Sequence, residues 1–208
     1  MAESLSKTTA RTRRKPRQVR SLKRVNRILD VAEEMFVEKG YAAATTKAIA
    51  VQAKVPIGSL YQFFPDKAAI LQALAERYSD LLRQHLEAFD TLEMAQIPLA
   101  DYVDRLIEGT ERFFAEYPGY HAIFMEVQAT MPELDDAADA KLIQTLAKLL
   151  QKRNASLNME DCEAIAFVMI KAMGNLLWLS LGQTPHFYQR LLIEIKRLNL
   201  TYLQSYLG

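Results

Sequence analysis

The chain has 208 residues, half of them hydrophobic and a quarter charged, and its single cysteine excludes an internal disulfide framework. This composition is typical of a globular protein with a substantial core. The net charge of +1 conceals an asymmetry: residues 1–67 hold fourteen basic and six acidic residues, whereas residues 68–208 hold twelve and nineteen. A basic N-terminal third joined to an acidic remainder indicates a nucleic-acid-binding module on a different kind of body.

The first twenty residues form a basic arm. Residues 1–20 hold seven basic residues and one acid and show no apolar periodicity, so we expect this segment to be disordered in isolation. Basic arms of this kind follow phosphates or enter the minor groove of DNA. A solvated extension with only nonspecific affinity is the alternative that the sequence leaves open.

Three predicted helices follow the arm. A first helix over about residues 21–39 is indicated by apolar side chains at helical spacing and by Gly40 at the position that ends helices. A second helix over about residues 46–53 starts at a threonine that can cap it, and Pro56 prevents its smooth continuation. A third helix, over about residues 57–64, restarts after this turn.

The outward face of the third predicted helix bears no charge. Leu60 and Phe64 lie four residues apart and face inward, which leaves a glycine, a hydroxyl, an amide and aromatic rings outside. Two helices joined by a tight turn, with such a face displayed, are typical of a helix-turn-helix that lies in the major groove of DNA. A plain helical hairpin inside an all-α core has the same spacing and stays open on these grounds.

The turn belongs to a longer run of spaced residues: Gly40-Tyr41, Thr45-Thr46, Ile49-Ala50, Gly58-Ser59-Leu60-Tyr61 and Phe64-Pro65-x-Lys67. This run resembles, without a gap over roughly residues 25–71, the DNA-binding segment of the TetR/AcrR family of bacterial transcriptional regulators. The family often has a polar residue at the position of Pro56 and a polar or basic one at Ile57, so we carry no contact over to these two positions.

The resemblance implies two kinds of DNA contact. Contacts to the DNA backbone are assigned to cations and hydroxyls, namely Thr46, Lys47, Ser59, Tyr61 and Lys67. Gln62 would face the bases, since an amide pairs best with adenine, and Gly58 would let the helix approach closely.

A long helix predicted over about residues 67–88 links this module to the rest of the chain. At a rise of 1.5 Å per residue, some twenty residues make a rod of roughly 30 Å. Five more helices are predicted, over about residues 98–117, 120–130, 133–154, 159–181 and 185–206. We therefore predict an all-α chain with a basic arm (1–20), a three-helix helix-turn-helix DNA-binding domain (21–67) and a larger helical domain for effector binding and dimerisation (68–208).

The predicted helix over residues 159–181 is apolar on nearly every side. It is long enough to raise the question of a membrane span, but Lys171, Asn175 and Ser180 interrupt it, and a charge at a bilayer centre is costly. Packing of one side on the chain's own core and the other on a second subunit, together with residues 185–206, would bury both sides without a membrane. The resembling family dimerises at this place, so we expect a homodimer; a central helix buried in a monomer is the alternative.

The sequence shows no pattern of an enzyme, a cofactor site or a metal site. His85, His121 and His186 lie on separate predicted helices, and none has a second ligand at metal spacing. No glycine-rich phosphate loop, nucleophile elbow or helical zinc motif is present. The chain is therefore predicted not to be an enzyme and to need no cofactor.

Aromatic and thioether side chains concentrate in the middle helices of the body, as they do in apolar pockets with a few polar groups. The resemblance implies an effector cavity here, although plain core packing produces the same pattern. The predicted pocket residues are Tyr102, Phe113, Tyr117, Phe124, Gln128, Phe167, Lys171, Asn175 and Trp178, with His121 as a further polar group that could orient a ligand.

These patterns favour a one-component transcriptional regulator, and the family resemblance implies a repressor that is released from a palindromic operator by a small, largely apolar effector. We expect it in the bacterial cytoplasm, at the nucleoid when bound to DNA, because no apolar stretch of a secretory signal follows the N-terminal charges. The alternative from another class is a helical protein that binds or sequesters a small molecule and has little specific affinity for DNA.

Overall fold

Ten α-helices make up the part of the chain that the computed structural model describes, which is residues 19–89 and 91–207. In chain order they are α1 (Val19–Lys39), α2 (Thr46–Gln52), α3 (Ile57–Phe63), α4 (Lys67–Glu87), α5 (Leu92–Gln96), α6 (Leu99–Glu116), α7 (Tyr120–Thr130), α8 (Pro132–Arg153), α9 (Met159–Leu181) and α10 (Pro185–Leu207). The predicted all-α architecture is confirmed. The predicted basic arm lies outside the described residues except for its last two.

The described residues divide into two compact units, and the boundary falls between Ile70 and Leu71, within α4. The first unit holds α1 to α3 and the start of α4. The second unit holds the greater part of α4 and all the helices after it. The domain boundary that we predict at residue 67 lies at the first residue of the same helix.

The helices α1, α2 and α3 pack around a small apolar core in the first unit. Ile28 of α1, Ile49 of α2 and Leu60 of α3 are fully buried. Thr45 caps α2, because its Oγ1 accepts a hydrogen bond from the N–H of Ala48 at 3.1 Å. The apolar spacing in the sequence therefore corresponds to an actual core, and the threonine cap is in place.

The turn between α2 and α3 places Lys54 in the left-handed region of backbone conformation, at a φ of 54°. A residue with a Cβ is strained there, because the Cβ crowds the following carbonyl oxygen. The N–H of Lys54 donates to the carbonyl of Val51 at 3.1 Å, and the N–H of Val55 donates to the carbonyl of Ala50 at 3.0 Å. These backbone hydrogen bonds close the turn and hold Lys54 in its strained conformation.

Lys54→Gly should raise the free energy of unfolding by about 0.5–1 kcal/mol, because glycine adopts a positive φ without the steric cost but gains freedom in the unfolded chain. Urea denaturation of the full chain at fixed protein concentration, followed by circular dichroism, measures this change. Lys54→Ala removes the same charge and keeps the Cβ, so it should give no comparable gain. An equal gain from both variants would assign the effect to charge rather than to backbone strain.

The second unit is a helical bundle. α8 packs along α9, and α10 packs against both α6 and α9. Tyr102 and Ile107 of α6, Leu146 of α8 and Met169 of α9 are almost completely buried in its core. The five helices predicted for the body are all present in this unit, as α6 to α10.

The structure adds one short helix, α5, that the sequence analysis does not predict. Thr91 caps α5 by accepting a hydrogen bond from the N–H of Met94 at 3.1 Å. Arg153 of α8 donates to the carbonyl oxygens of Met94 and Ile97, at 2.5 and 2.7 Å, and its guanidinium lies 4.6 Å from the ring centre of Tyr102. Five residues are too few for a helical period to be recognised, and a distant arginine holds this segment in place.

The described helix that is long and apolar enough, by length and composition, to cross a membrane is α9. One of its faces, which includes Cys162, Met169 and Leu177, is buried in the second unit. Burial raises the pKa of the Cys162 thiol, and the negative charge of the neighbouring Asp161 carboxylate raises this pKa further. Another face exposes apolar side chains, among them Leu179, whose exposed fraction is 65%. Thus α9 is a core helix of the second unit with an additional apolar face that no other described part of the chain covers.

Candidate nucleic-acid interface and effector cavity

Two hydroxyl groups meet where the start of α2 lies beside α3. Oγ1 of Thr46 and Oη of Tyr61 are 3.1 Å apart, and Tyr61 is 45% exposed. Lys47 and Gln62 are exposed, whereas Thr46 and Ser59 are half-buried. The predicted contact residues of α2 and α3 therefore lie at or near the surface of the first unit, and the structure joins Thr46 and Tyr61 directly.

Gly58, in the first turn of α3, is exposed and has no internal reason to be a glycine. A Cβ built on it would meet no heavy atom within 4 Å, and its φ lies outside the left-handed region. A glycine inside a helix costs roughly 0.5–1 kcal/mol relative to alanine. The packing of the first unit thus does not require a glycine here, and the missing side chain leaves room for a close approach to the surface of α3.

Lys67 is bound within the first unit, in contrast to the phosphate contact that we predict from the sequence. Its ammonium donates to the carbonyl oxygens of Tyr41, Ala42 and Ala44, at 2.6, 3.3 and 2.9 Å, and lies 4.1 Å from the ring centre of Tyr41. A lysine ammonium has three donors, and these carbonyls accept all of them. Lys67 therefore fastens the segment between α1 and α2 to the start of α4, and we reassign it to the support of the first unit.

Lys67→Met should lower the free energy of unfolding by about 1.5–3 kcal/mol, the range for hydrogen bonds that involve a charged group. The salt dependence of DNA binding should not change, because no phosphate contact is lost. Urea denaturation and binding titrations at several salt concentrations measure the two effects separately.

Lys47→Met is the matched control, because Lys47 is exposed on α2. Its stability should stay within about 0.5 kcal/mol of the wild type. The slope of log affinity against log salt concentration should decrease by about one. A decreased slope from Lys67→Met, with stability intact, would instead support the original phosphate contact.

A cavity of about 310 Å³ lies among α4, α6, α7, α8 and α9 in the second unit. Six of the nine predicted pocket residues line it: Phe124, Gln128, Phe167, Lys171, Asn175 and Trp178. His121 lines it as well, and most of the wall is apolar. Phe167 and Asn175 are also exposed, so the cavity reaches solvent beside α9.

The other three predicted pocket residues lie elsewhere. Tyr102 is buried in the core, and the rings of Phe113 and Tyr117 pack on each other with their centres 4.9 Å apart. The helical period explains the difference: Thr110 and Phe114, four residues apart on α6, line the cavity, while Phe113 and Tyr117, also four apart, face another side. Phe114 is therefore the α6 aromatic residue at the cavity.

A salt bridge joins α8 and α9 at the cavity wall, between the ammonium of Lys171 and the carboxylate of Asp139. The side chain of Asp139 is 9% exposed, and that of Lys171 is 32% exposed. Asp139 is not among the pocket residues predicted from the sequence. Its register is the available signal, because Asp139 shares the buried face of α8 with Leu142 and Leu146, at spacings of three and seven residues.

The rings of His121 and Trp178 stack in parallel at the cavity wall, with their centres 3.7 Å apart and their planes 9° from parallel. Burial lowers the pKa of His121, so its imidazole is neutral at neutral pH. Trp178 is the chain's single tryptophan, and the ring of Phe114 meets it edge-on at 5.8 Å. This part of the wall is a flat aromatic surface with an uncharged hydrogen-bonding group.

A second cavity, of about 220 Å³, lies beside the first. The two share wall residues Leu82, Tyr120, Phe124 and Leu142. The other wall residues of the smaller cavity are mostly uncharged but include three charged side chains, Glu76, Asp80 and Lys141. Among the described residues, no three His, Cys, Asp or Glu side chains are grouped to hold a metal ion. The chemistry available in the larger cavity is therefore that of an ion pair, amides and aromatic faces.

Two family models match the chain. Residues 98–203 match a model described as the tetracyclin repressor-like C-terminal domain, which covers half of the chain. Residues 28–74, which include α2 and α3, match a model described as bacterial regulatory proteins of the tetR family. The candidate nucleic-acid interface thus lies within one match, and the cavity wall lies within the other except for Leu82 and Leu86 of α4.

A curated protein similar to this chain is also described as a transcriptional regulator. The chain is 30% identical to the HTH-type transcriptional regulator UidR of Escherichia coli (strain K12) over 107 residues, which are 50% of this chain and 49% of that protein. The chain thus spans about half the length of this curated relative.

Two solved structures share the fold at lower identity. A TetR-family transcriptional regulator from Streptomyces coelicolor has a TM-score of 0.68 and 24% identity, over 90% of this chain and 99% of that one. The multidrug binding protein EbrR, complexed with imidazole, has a TM-score of 0.65 and 17% identity, over 92% of this chain and 96% of that one.

Proposed function

Because the chain belongs to the TetR family of bacterial transcriptional regulators, we propose that it is a homodimeric repressor that leaves a palindromic operator when a small, largely apolar effector binds. Family membership agrees with the prediction that the chain is not an enzyme. The observation that carries the proposal is the outer face of α3, which contains a glycine and no charge and belongs to the basic first unit. The second unit of the same chain holds a cavity lined by aromatic residues.

We assign base reading to the outer face of α3. Gln62 offers an amide for adenine, and Gly58 permits close approach to the groove. Ile57, which the sequence analysis sets aside, is 41% exposed beside Gly58 and suits contact with a thymine methyl group. The adjacent hydroxyls of Thr46 and Tyr61 suit the DNA backbone, which fixes the register of the protein on the duplex.

We place the dimer contact on an exposed apolar stripe of α9 and α10. Val168, Leu176 and Leu179 of α9 are 42%, 38% and 65% exposed, and Phe187 and Leu198 of α10 are 50% and 49% exposed. Large exposed apolar patches mark interaction sites, and a two-fold dimer uses the same patch on both subunits. Two recognition helices related in this way predict a palindrome with half-sites about one helical turn, roughly 34 Å, apart.

We propose that α4 carries the signal from the cavity to the DNA-binding unit. α4 is an unbroken helix that begins at Lys67, shortly after α3, and contributes Leu82 and Leu86 to the cavity wall. An effector that binds one position of α4 better than another shifts the population toward that position. The operator is released when, in the favoured position of α4, the distance between the two recognition helices no longer matches the spacing of the half-sites.

Selection from a pool of random duplexes, at a salt concentration of about 150 mM, tests this function. We expect an enriched palindrome with half-sites near one helical turn apart, as a dimeric regulator requires. Retention without an enriched sequence would contradict the repressor function and favour the small-molecule-binding alternative. An operator-bound protein acts in the bacterial cytoplasm, and we propose that it is at the nucleoid while bound.

A further inference from the structure

The two members of the ion pair at the cavity wall differ in their access to water. The carboxylate of Asp139, on α8, is nearly buried, whereas the side chain of Lys171, on α9, is about one third exposed. Lys171 lies one helical turn from Phe167 on one side and one turn from Asn175 on the other, and both of these neighbours are exposed where the cavity reaches the surface. The lysine therefore belongs to the rim of the cavity, and the aspartate to its interior.

This difference determines which member of the pair a ligand can replace. A buried carboxylate that loses its cation is left with an uncompensated charge in a poorly solvated place, which is strongly destabilising. The ammonium of Lys171 stands on a flexible four-carbon stem and can turn out into water, where it is well hydrated. Asp139 thus needs a cation at all times, but that cation need not be Lys171.

The wall around the pair suits a cation with apolar substituents. The aromatic side chains of Phe124, Phe167 and Trp178 line the same cavity, and an aromatic ring attracts a cation that lies over its face within about 6 Å of the ring centre. The imidazole of His121 covers one face of Trp178 and carries no competing positive charge at neutral pH. An anionic ligand would gain less, because Asp139 already neutralises Lys171 and an anion at this ammonium would lie close to the Asp139 carboxylate.

We propose that the effector class is a lipophilic organic cation, with one ammonium group and an apolar or aromatic body, which replaces Lys171 at the carboxylate of Asp139. Lys171 then acts as a built-in substitute cation that keeps Asp139 neutralised while the cavity is empty. This inference rests on the proposed function, in which the cavity binds the effector, and adds the charge by which the effector is recognised.

Three probes of the same length and different charge test the proposal on the full chain. They are (4-phenylbutyl)trimethylammonium, the hydrocarbon in which carbon replaces its nitrogen, and 5-phenylpentanoate. Isothermal titration calorimetry measures binding, and the fluorescence of Trp178, the single tryptophan, reports occupation of the cavity. We expect the cation to bind at least about tenfold more tightly than the other two, a ratio that corresponds to about 1.4 kcal/mol.

Two variants separate the roles of the pair. Asp139→Asn should reduce the preference for the cation over its neutral isostere to about twofold or less, because the charge that selects it is gone. Lys171→Met should raise the affinity for the cation by about tenfold, because the ligand no longer competes with a tethered ammonium. The double variant with both substitutions carries no unpaired charge, so it stays folded, binds the neutral isostere and lacks the cation preference.

The outcomes distinguish this proposal from the broader function. Equal binding of the cation and its neutral isostere, or an unchanged cation preference in Asp139→Asn, would overturn the cation proposal and leave the effector cavity in place. Tighter binding of the carboxylate would also overturn it. Binding of no probe, with no response of Trp178, would contradict both the cation proposal and the assignment of this cavity to the effector.

Discussion

Gly58→Ala should weaken binding to the selected operator by about ten- to a hundredfold, which corresponds to about 1.4–2.8 kcal/mol. The added methyl group meets no heavy atom within 4 Å among the residues that the structure describes, so we expect its conflict to be with DNA that approaches α3 closely. The same substitution should leave the free energy of unfolding unchanged or raise it by about 0.5–1 kcal/mol, because alanine favours the helix. Fluorescence anisotropy with the operator and urea denaturation measure the two effects.

Gly182→Ala is the matched control for Gly58→Ala. A Cβ at Gly182 also meets no heavy atom within 4 Å, but this glycine follows α9 in the second unit, outside the proposed DNA interface. Its operator affinity should equal that of the wild type. Wild-type affinity in Gly58→Ala would show that this side of α3 does not approach DNA, and the assignment of base reading to Gly58 and Gln62 would have to be given up.

Leu179→Asp should convert the protein to a monomer and lower operator affinity by about a hundredfold or more, because a two-fold interface would bury two unpaired carboxylates. Leu179 is 65% exposed within the chain, so the folded monomer should tolerate the aspartate. Sedimentation velocity measures the subunit state, circular dichroism confirms the helical content, and anisotropy measures operator binding.

Ile193→Asp gives the matched control for the dimer contact. Ile193 is 53% exposed on α10 and lies on a different side of that helix from Phe187 and Leu198. The change in charge and hydrophobicity is similar, so a dimer with wild-type operator affinity is expected. A dimeric Leu179→Asp variant, or a monomeric Ile193→Asp variant, would move the interface away from the proposed stripe.

Much of the helical layout can be predicted from the sequence because long helices leave a periodic trace. Side chains such as Ile28 and Leu60 are apolar at the spacing of a helix face, and both are fully buried. The short helix α5 leaves no such trace, because its position depends on Arg153, which lies far away in the sequence. Helices with a local apolar period can thus be predicted from the sequence, whereas α5, which a distant tertiary contact holds in place, cannot.

The details of the site depend on which neighbour each helix face meets. The aromatic richness of α6 indicates a cavity lining, but only the tertiary arrangement distinguishes Phe114, which lines it, from Phe113, which does not. The same holds for charges. Lys67 has the position of a DNA-contacting cation in the sequence, yet backbone carbonyls around Tyr41 hold it in the structure. Backbone acceptors are present at every residue, so sequence alone cannot show which of them a lysine will find.

The burial of Cys162 has a consequence for experiments in which the protein is followed over time. Its thiol is fully buried on α9, and its raised pKa keeps it in the unreactive protonated form. A thiol-specific reagent can therefore modify the protein only when the start of α9 opens and exposes Cys162. The modification rate therefore measures local opening of the second unit. Because the chain has a single cysteine, every labelled molecule reports the same opening event.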